Sequence, residues 1–396
     1  MKQQLSDYIG TQRQDMLTLL KELVLVQSGS YNKSGIDRVV RLIHDTLAAA
    51  DISVITIPQA QYGDILLASS RTAGETNNIL LIGHTDTVFP QDTRFNWWRE
   101  DQEKVYGPGV IDMKGGLVAG IYALKALQYV GLLGRIPIRF IFNPDEEIGS
   151  LCSREIIIAE ARKSAMAFVL ECGGLNGQVV TGRKGYIGVK LEAFGKAGHA
   201  AFLIKNKASA IVALAYKILS LEALNGQFDG VTVNVGCISG GIGSNTVPEY
   251  AVADVDVRYS TMAGEDFFKT QLVELARQTE IPGTSTTLEV IRSRPPMTQS
   301  EGNRALFRMV AEQAHELHIP IQEEFRQGVS DANIVATEGV PVLDGLGPIG
   351  GLDHSDQEFM IKESLFQRTH LLAWSLIEGW QRYQAGTLFA SGTVLT

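Results

Sequence analysis

Apolar and polar residues alternate along the chain in two rhythms. Near the start, Met16, Leu19, Leu20 and Leu23 recur at helical spacing, which predicts an amphipathic first helix. From about residue 35 to 150 the two rhythms take turns. "GIDRVVRLIHDTLAAA" reads as a helix, "ISVITI" and "NILLIGH" as strands, "GGLVAGIYALKALQYVG" as a helix closed by Gly131, and "IPIRFIFNPDEE" as another strand; the apolar segment "AMAFVLE" then ends on Glu171. Strands alternating with helices predict an α/β fold, a mixed, largely parallel sheet sandwiched by helices.

After Thr181 the texture changes. "GYIGVKLEAFGKAGHA", a helix over "ASAIVALAYKILSLEAL", the alternating segments "VTVNVGCISGG" and "EYAVADVDVRYS", a helix near 264–278 and "STTLEVIRSRPP" give the order strand, helix, strand, strand, helix, strand. That order matches a split βαβ, ferredoxin-like α+β unit. Beyond Pro296 the helix "NRALFRMVAEQAHEL" and the strand-like "PVLDGL" return to the earlier style. The expected division is a discontinuous domain of 1–181 and 295–396 with an inserted domain of 182–294.

Composition narrows the function. The chain has 396 residues, 45% hydrophobic and 20% charged, and its net charge of −9 argues against a nucleic-acid partner and gives no sign of membrane attraction. No segment reaches the roughly 18 uninterrupted apolar residues of a membrane span, and the N-terminal stretch has no apolar run suited to a signal peptide. The three cysteines, Cys152, Cys172 and Cys237, show no CxxC spacing, which fits reduced thiols in a cytoplasmic protein.

Candidate chemistry collects where apolar runs end. His84 and Asp86 close "NILLIGHTD", Asp112 lies in the glycine-rich "YGPGVIDMKGG", "NPDEEIGS" supplies Glu146 and Glu147, Glu171 ends the next strand, and "GGLDHSDQEF" carries His354. Clustered carboxylates repel unless a cation neutralises them. Two histidines with three or four carboxylates match the ligand set of a two-metal hydrolase and suit zinc, or cobalt or manganese in its place. Asp112 could bridge two ions, Asp86 could orient the imidazole of His84, and the adjacent glutamates could divide the work of ligand and general base. "GGIGSN" at 240–245 lacks the lysine and helix of a phosphate loop and reads as a turn. His44, His315, His318 and His370 lie in helix-like segments without clustered acids.

Together "GHTDTVFP", "YGPGVIDMKGG", "NPDEEIGS", "GRKGYIGV", "GKAGHA", "NTVPEYAVADVDVRY" and "SDANIVATEGVPVLDGLGPIGGLDHSDQEF" resemble the M20 family of metallopeptidases, in particular its glutamate carboxypeptidase branch. The resemblance implies a zinc-peptidase catalytic domain with two zinc ions. Asp112 would be the bridging ligand, His84 with Glu171 would hold one ion, Glu147 with His354 the other, and Glu146 would be the general base. It further implies a cis peptide at Asp112-Met113, an inserted domain that mediates a homodimer, a carbonyl-polarising role for His199, and substrate contacts from Asn245 and Arg258, the latter suited to gripping a carboxylate. Two stretches depart from the family pattern: Glu171 is followed by Cys-Gly-Gly instead of proline, and "AAFLIKNKAS" follows His199.

The reaction these features imply is hydrolysis of an amide bond beside a free carboxylate, on an N-acyl amino acid or small peptide. Rival expectations are an acetylornithine deacetylase- or aminoacylase-type N-deacylase, a dipeptidase and, from another class, a metal-free binding protein on the same fold. A dinucleotide-binding enzyme is disfavoured because no GxGxxG follows the first strand.

Overall fold

The structure, a computed structural model, describes residues 2–202 and 207–390. The chain forms two compact units: Met1–Gly182 with Gln299–Phe325 and Ser330–Thr396, and Arg183–Thr298 with Arg326–Val329.

Among the described residues the larger unit is built on a mixed six-stranded sheet. Its spatial order is Ser53–Ile57, Ile65–Ser69, Ile138–Asn143, Asn78–His84, Ser164–Val169 and Val342–Leu343. The first two strands are antiparallel to their neighbours; the remaining pairings are parallel. The strand Ile65–Ser69, which lacks the alternation that reveals a strand in sequence, is almost wholly buried. Every residue of the central strand Asn78–His84 is buried, as expected of a parallel strand covered on both faces. Leu81, Phe140, Phe142 and Phe168 from the parallel strands join Leu117 and Ile121 of the helix Lys114–Tyr129 in one core, which also takes in the long C-terminal helix Lys362–Gln384.

Backbone approach explains part of the "DMKGG" motif. A Cβ on Gly116 would sit 1.9 Å from the carbonyl oxygen of Leu170, so only glycine lets this helix start against the segment leading to Glu171. Gly109, at φ +73°, turns the preceding loop through the left-handed region.

The smaller unit is an antiparallel sheet in the order Thr232–Gly240, Tyr250–Tyr259, Gly185–Phe194, Ser285–Arg294. The helices Ala210–Glu222 and Met262–Arg277 pack on it through Leu214 and Phe268, against Ile187, Leu191, Val255 and Val257. Ser209 and Thr261 cap these helices by accepting from the amides of Val212 and Gly264. Chain and spatial order together are those of a ferredoxin-like unit, and the fold class is the mixed α/β architecture expected. Among the described residues no helix is long and apolar enough to cross a membrane.

Candidate metal centre

Three adjacent parallel strands deliver their carboxyl ends to one edge of the larger unit, where open α/β sheets place their ligands. His84 is the last residue of the central strand. Glu146 and Glu147 occupy a single 3-10 turn after the strand Ile138–Asn143, and Glu171 lies just beyond Ser164–Val169. Asp112 ends the glycine-rich loop before the helix Lys114–Tyr129, and its bond to Met113 is cis. His354 sits in the turn joining Gly350–Gly351 to Phe359–Ile361, at φ +59°.

The fold brings these six residues together. Asp112 is the hub: its Oδ1 lies 3.1 Å from Nε2 of His84 and its Oδ2 lies 3.1 Å from Nε2 of His354. Glu171 stands on the His84 side, 3.6 Å from Nε2, and Glu147 on the His354 side, 3.5 Å from Nε2. Donor atoms within 4.8 Å of one another form the groups His84–Asp112–Glu147, His84–Glu146–Glu171 and Asp112–Asp353–His354. Asp353 was not anticipated; its neighbour His354 was the only signal.

Asp86 does more than the sequence suggests. The Nδ1 of His84 is 3.0 Å from the Asp86 carbonyl oxygen and 3.3 Å from its Oδ1. The Asp86 carboxylate also accepts from the hydroxyl of Ser30 at 2.7 Å and from the backbone amides of Glu146 and Glu147 at 3.2 and 3.3 Å. One buried carboxylate thus orients the imidazole and pins the glutamate turn. Asp145 holds the same turn from the other side, accepting from the hydroxyl of Ser153 at 2.6 Å and the amide of Cys152 at 2.5 Å.

Glu358 plays the matching part for Asp112, and sequence reasoning missed it. Fully buried, it accepts from the amides of Gly109, Ile111 and Asp112 at 2.8, 2.8 and 3.1 Å. Burial pushes its carboxyl up to about 7 against the pull of those amides. In sequence it is one acid among the polar residues of "HSDQEF".

The electrostatics are those of a cation site. Burial and the charge of Asp112 push Glu147 up to about 8 and Glu171 well above the usual carboxylate range. Burial opposes protonation of His84, yet its hydrogen bonds with Asp112 and Asp86 hold it well above the ordinary imidazole range. Hydrogen bonds with Asp112 and Glu147 raise His354 to about 11. Burial works against the charge of Asp112, but the two histidines hold its carboxyl far below the usual range. The raised imidazoles and glutamates mark a cluster that favours added positive charge. The Oε1 of Glu147 is buried without a hydrogen-bond partner among the described residues, an orphan acceptor in the middle of the site. Imidazole nitrogens, converging carboxylates and that orphan oxygen fit a pair of divalent cations.

The other three residues of interest lie in the smaller unit. A short ladder pairs His199 with Thr246 and brings Asn245 beside the histidine, its carbonyl accepting from the amide of Ala200 at 2.8 Å. The amide of Ala201 donates to Nδ1 of His199 at 3.2 Å, a contact that favours the tautomer with its hydrogen on Nε2. Arg258 is engaged elsewhere: its Nε and a terminal nitrogen meet both oxygens of Asp256 at 2.8 and 2.9 Å, and its guanidinium lies over the Tyr186 ring at 4.5 Å. The fork expected to grip a carboxylate already grips one. "GGIGSN" is the end of a strand and a turn, as expected.

Fold and donor set together define a metal-dependent hydrolase. Residues 80–377 match peptidase family M20/M25/M40, and the chain belongs to that family. It is 28% identical over 367 residues to carboxypeptidase G2 of Pseudomonas sp. (strain RS-16), covering 91% of this chain and 88% of that one. Among solved structures it resembles an M20 family metallo-carboxypeptidase from Sulfolobus solfataricus, with TM-score 0.73, 18% identity and coverage of 92% of this chain and 98% of that one. A dinuclear metal-binding M20 peptidase from Bacillus subtilis matches at TM-score 0.70 and 14% identity, over 94% and 99% of the two chains.

Proposed function

We propose that the protein is a two-metal amide hydrolase that releases an amino acid bearing a free carboxylate from an N-acyl amino acid or small peptide, in the manner of a glutamate carboxypeptidase. The observation that carries the reading is Asp112, whose two oxygens face the two histidines at equal distance while a carboxylate flanks each histidine. His84 and Glu171 would hold one ion, His354 and Glu147 the other, and Asp112 would bridge them; zinc suits this donor set, with cobalt or manganese as substitutes. Such ions, when bound, polarise a carbonyl and acidify water.

The remaining work falls to the chain. Glu146, whose carboxylate lies within the His84–Glu171 group, takes a proton from the attacking water and returns it to the leaving nitrogen. Asp86 keeps that turn and the His84 ring in register. His199 presents an Nε2 proton suited to donating to a carbonyl oxygen as it gains charge. Asn245 and Arg258 are assigned to substrate contact, Arg258 once released from Asp256. The relationship to carboxypeptidase G2 supports the carboxypeptidase branch over the N-deacylases and dipeptidases.

The smaller unit is assigned to dimerisation and to closing over substrate. Its edge strand Thr232–Gly240 is largely exposed, and Ile238, Tyr216 and Leu219 are exposed with it. An open strand edge with apolar neighbours is a surface that a second copy would cover.

The test is release of amino acid from a panel of N-acyl glutamates, aspartates and neutral amino acids by zinc-loaded protein, with Glu146→Gln as control. Turnover abolished by the substitution while two ions per chain remain bound supports the reading; a substituted protein with near-full turnover sinks it.

A further inference from the structure

A cavity of about 310 Å³ opens beside the metal centre within the larger unit, with Glu147 in its wall. Tyr31, Val88, Phe89, Pro90 and Ile148 supply most of the remaining surface, with small polar groups between them. Tyr31 is 75% exposed and Val88 38%, so the apolar surface at the mouth is open to an incoming molecule.

The walls are held in place. Ser30 donates to Asp86, Gly29 is bridged to Thr87, and the side chain of Gln27 donates to the carbonyl of Phe89 at 2.8 Å. The loop on one side is therefore tied to the same carboxylate that sets His84 and the glutamate turn, and the cavity is formed before anything enters it.

Its chemistry selects one end of the substrate. No lysine, arginine or histidine is among the lining residues, and the single charged group is the acid Glu147. Away from the ion that Glu147 would help to hold, a free carboxylate buried against these walls would meet no cation, a costly arrangement. The carboxylate end of the substrate must lie elsewhere, and an uncharged, apolar group is what these walls reward.

We propose that this cavity seats the acyl side chain of the substrate, on the carbonyl side of the scissile amide, and that it selects a single aromatic or branched apolar acyl group. The assignment rests on the hydrolase reading above and adds the substrate class to it. A site of about 310 Å³ is at the small end of ligand pockets and has room for one aromatic ring together with the chain that links it to the acyl carbonyl.

The experiment compares kcat/KM for the N-phenylacetyl and N-acetyl derivatives of one amino acid, in zinc-loaded wild type, Val88→Trp and Tyr31→Ala, each checked for folding by circular dichroism. Val88→Trp fills the mouth and Tyr31→Ala removes an exposed wall, so the second variant carries the test if the first fails to fold. Wild type is expected to favour phenylacetyl, and either substitution to lower the phenylacetyl-to-acetyl ratio about tenfold, in the range by which apolar pockets discriminate. An unchanged ratio in a folded, active variant overturns the cavity assignment alone. A change confined to preference among the released amino acids overturns it too, by moving the cavity to the other side of the bond. No turnover of any N-acyl amino acid by wild type with two ions bound overturns the hydrolase reading, and the acyl-site assignment falls with it.

Discussion

Replacing Glu358 by alanine should loosen the metal centre from behind, removing a backbone anchor of Asp112 while leaving every proposed ligand side chain in place. The carboxylate accepts three backbone amides in a fully buried position. Removing the acceptor from one buried donor costs about 1–3 kcal/mol. Three such donors set a ceiling near 9 kcal/mol, and water entering the vacated volume brings the expected loss to about 3–5 kcal/mol. Glutamine is the informative companion. Its carbonyl oxygen can keep the place of Oε1, which serves Ile111 and Asp112, while its NH2 group would face the amide of Gly109. One unsatisfied pair predicts about 1–3 kcal/mol. Urea unfolding of the chelated proteins measures these losses. A competition titration with a zinc indicator measures the second effect, about a tenfold to hundredfold weaker metal binding as the Asp112 loop loses its anchor. An alanine variant within about 1 kcal/mol of wild type, well under the cost of three stranded donors, would refute the reasoning. So would equal effects of glutamine and alanine.

Three further outcomes follow from the geometry. Asp86→Ala strands the amides of Glu146 and Glu147 and the hydroxyl of Ser30; we expect a stability loss of about 2–4 kcal/mol in urea unfolding and metal affinity at least about tenfold weaker, and unchanged affinity would show that His84 needs no such partner. After chelation, protons are retained at neutral pH on the His354 imidazole, raised to about 11, and on the Glu147 carboxyl, raised to about 8, while His84 and Glu171 are shifted in the same direction. Metal must displace them, so binding releases protons and apparent affinity rises with pH from 6 to 8; calorimetry in two buffers of different ionisation enthalpy reads the release, and identical heats would contradict it. Asp256→Ala frees the Arg258 fork, so KM for a substrate with a free carboxylate should fall severalfold; an unchanged KM would remove Arg258 from substrate contact.

Much of the centre was legible because its residues follow apolar runs whose rhythm marks them as buried strands. His84, Glu146, Glu147 and Glu171 stand at the ends of three such runs, and parallel pairing alone places those ends together. Asp112 and His354 were legible from motif context, since a loop residue carries no periodic signal. Of the supporting groups, only the pairing of Asp86 with His84 was legible. Glu358 looks like any loop acid until the fold lays the Gly109–Asp112 loop over it. The anchoring of both glutamate amides by Asp86 depends on a register between strands that spacing does not encode. The occupation of Arg258 by Asp256 was a matter of direction along one strand: residues two apart share a face, and the sequence placed both there without showing that they would close on each other.

The separation of these partners along the chain sets a timetable. His84, Asp112, Glu146, Glu147 and Glu171 are all synthesised before the smaller unit, whereas His354 and Glu358 come 242 and 246 residues after Asp112. At ordinary elongation rates that interval is about 12–50 s. Through it the growing polypeptide carries most of the acidic groups of the centre but neither the second imidazole nor the carboxylate that shapes the Asp112 loop. A site that needs both His84 and His354 can therefore be completed only after translation has passed Glu358, whereas the group formed by His84, Asp112 and Glu171 is on the chain much earlier.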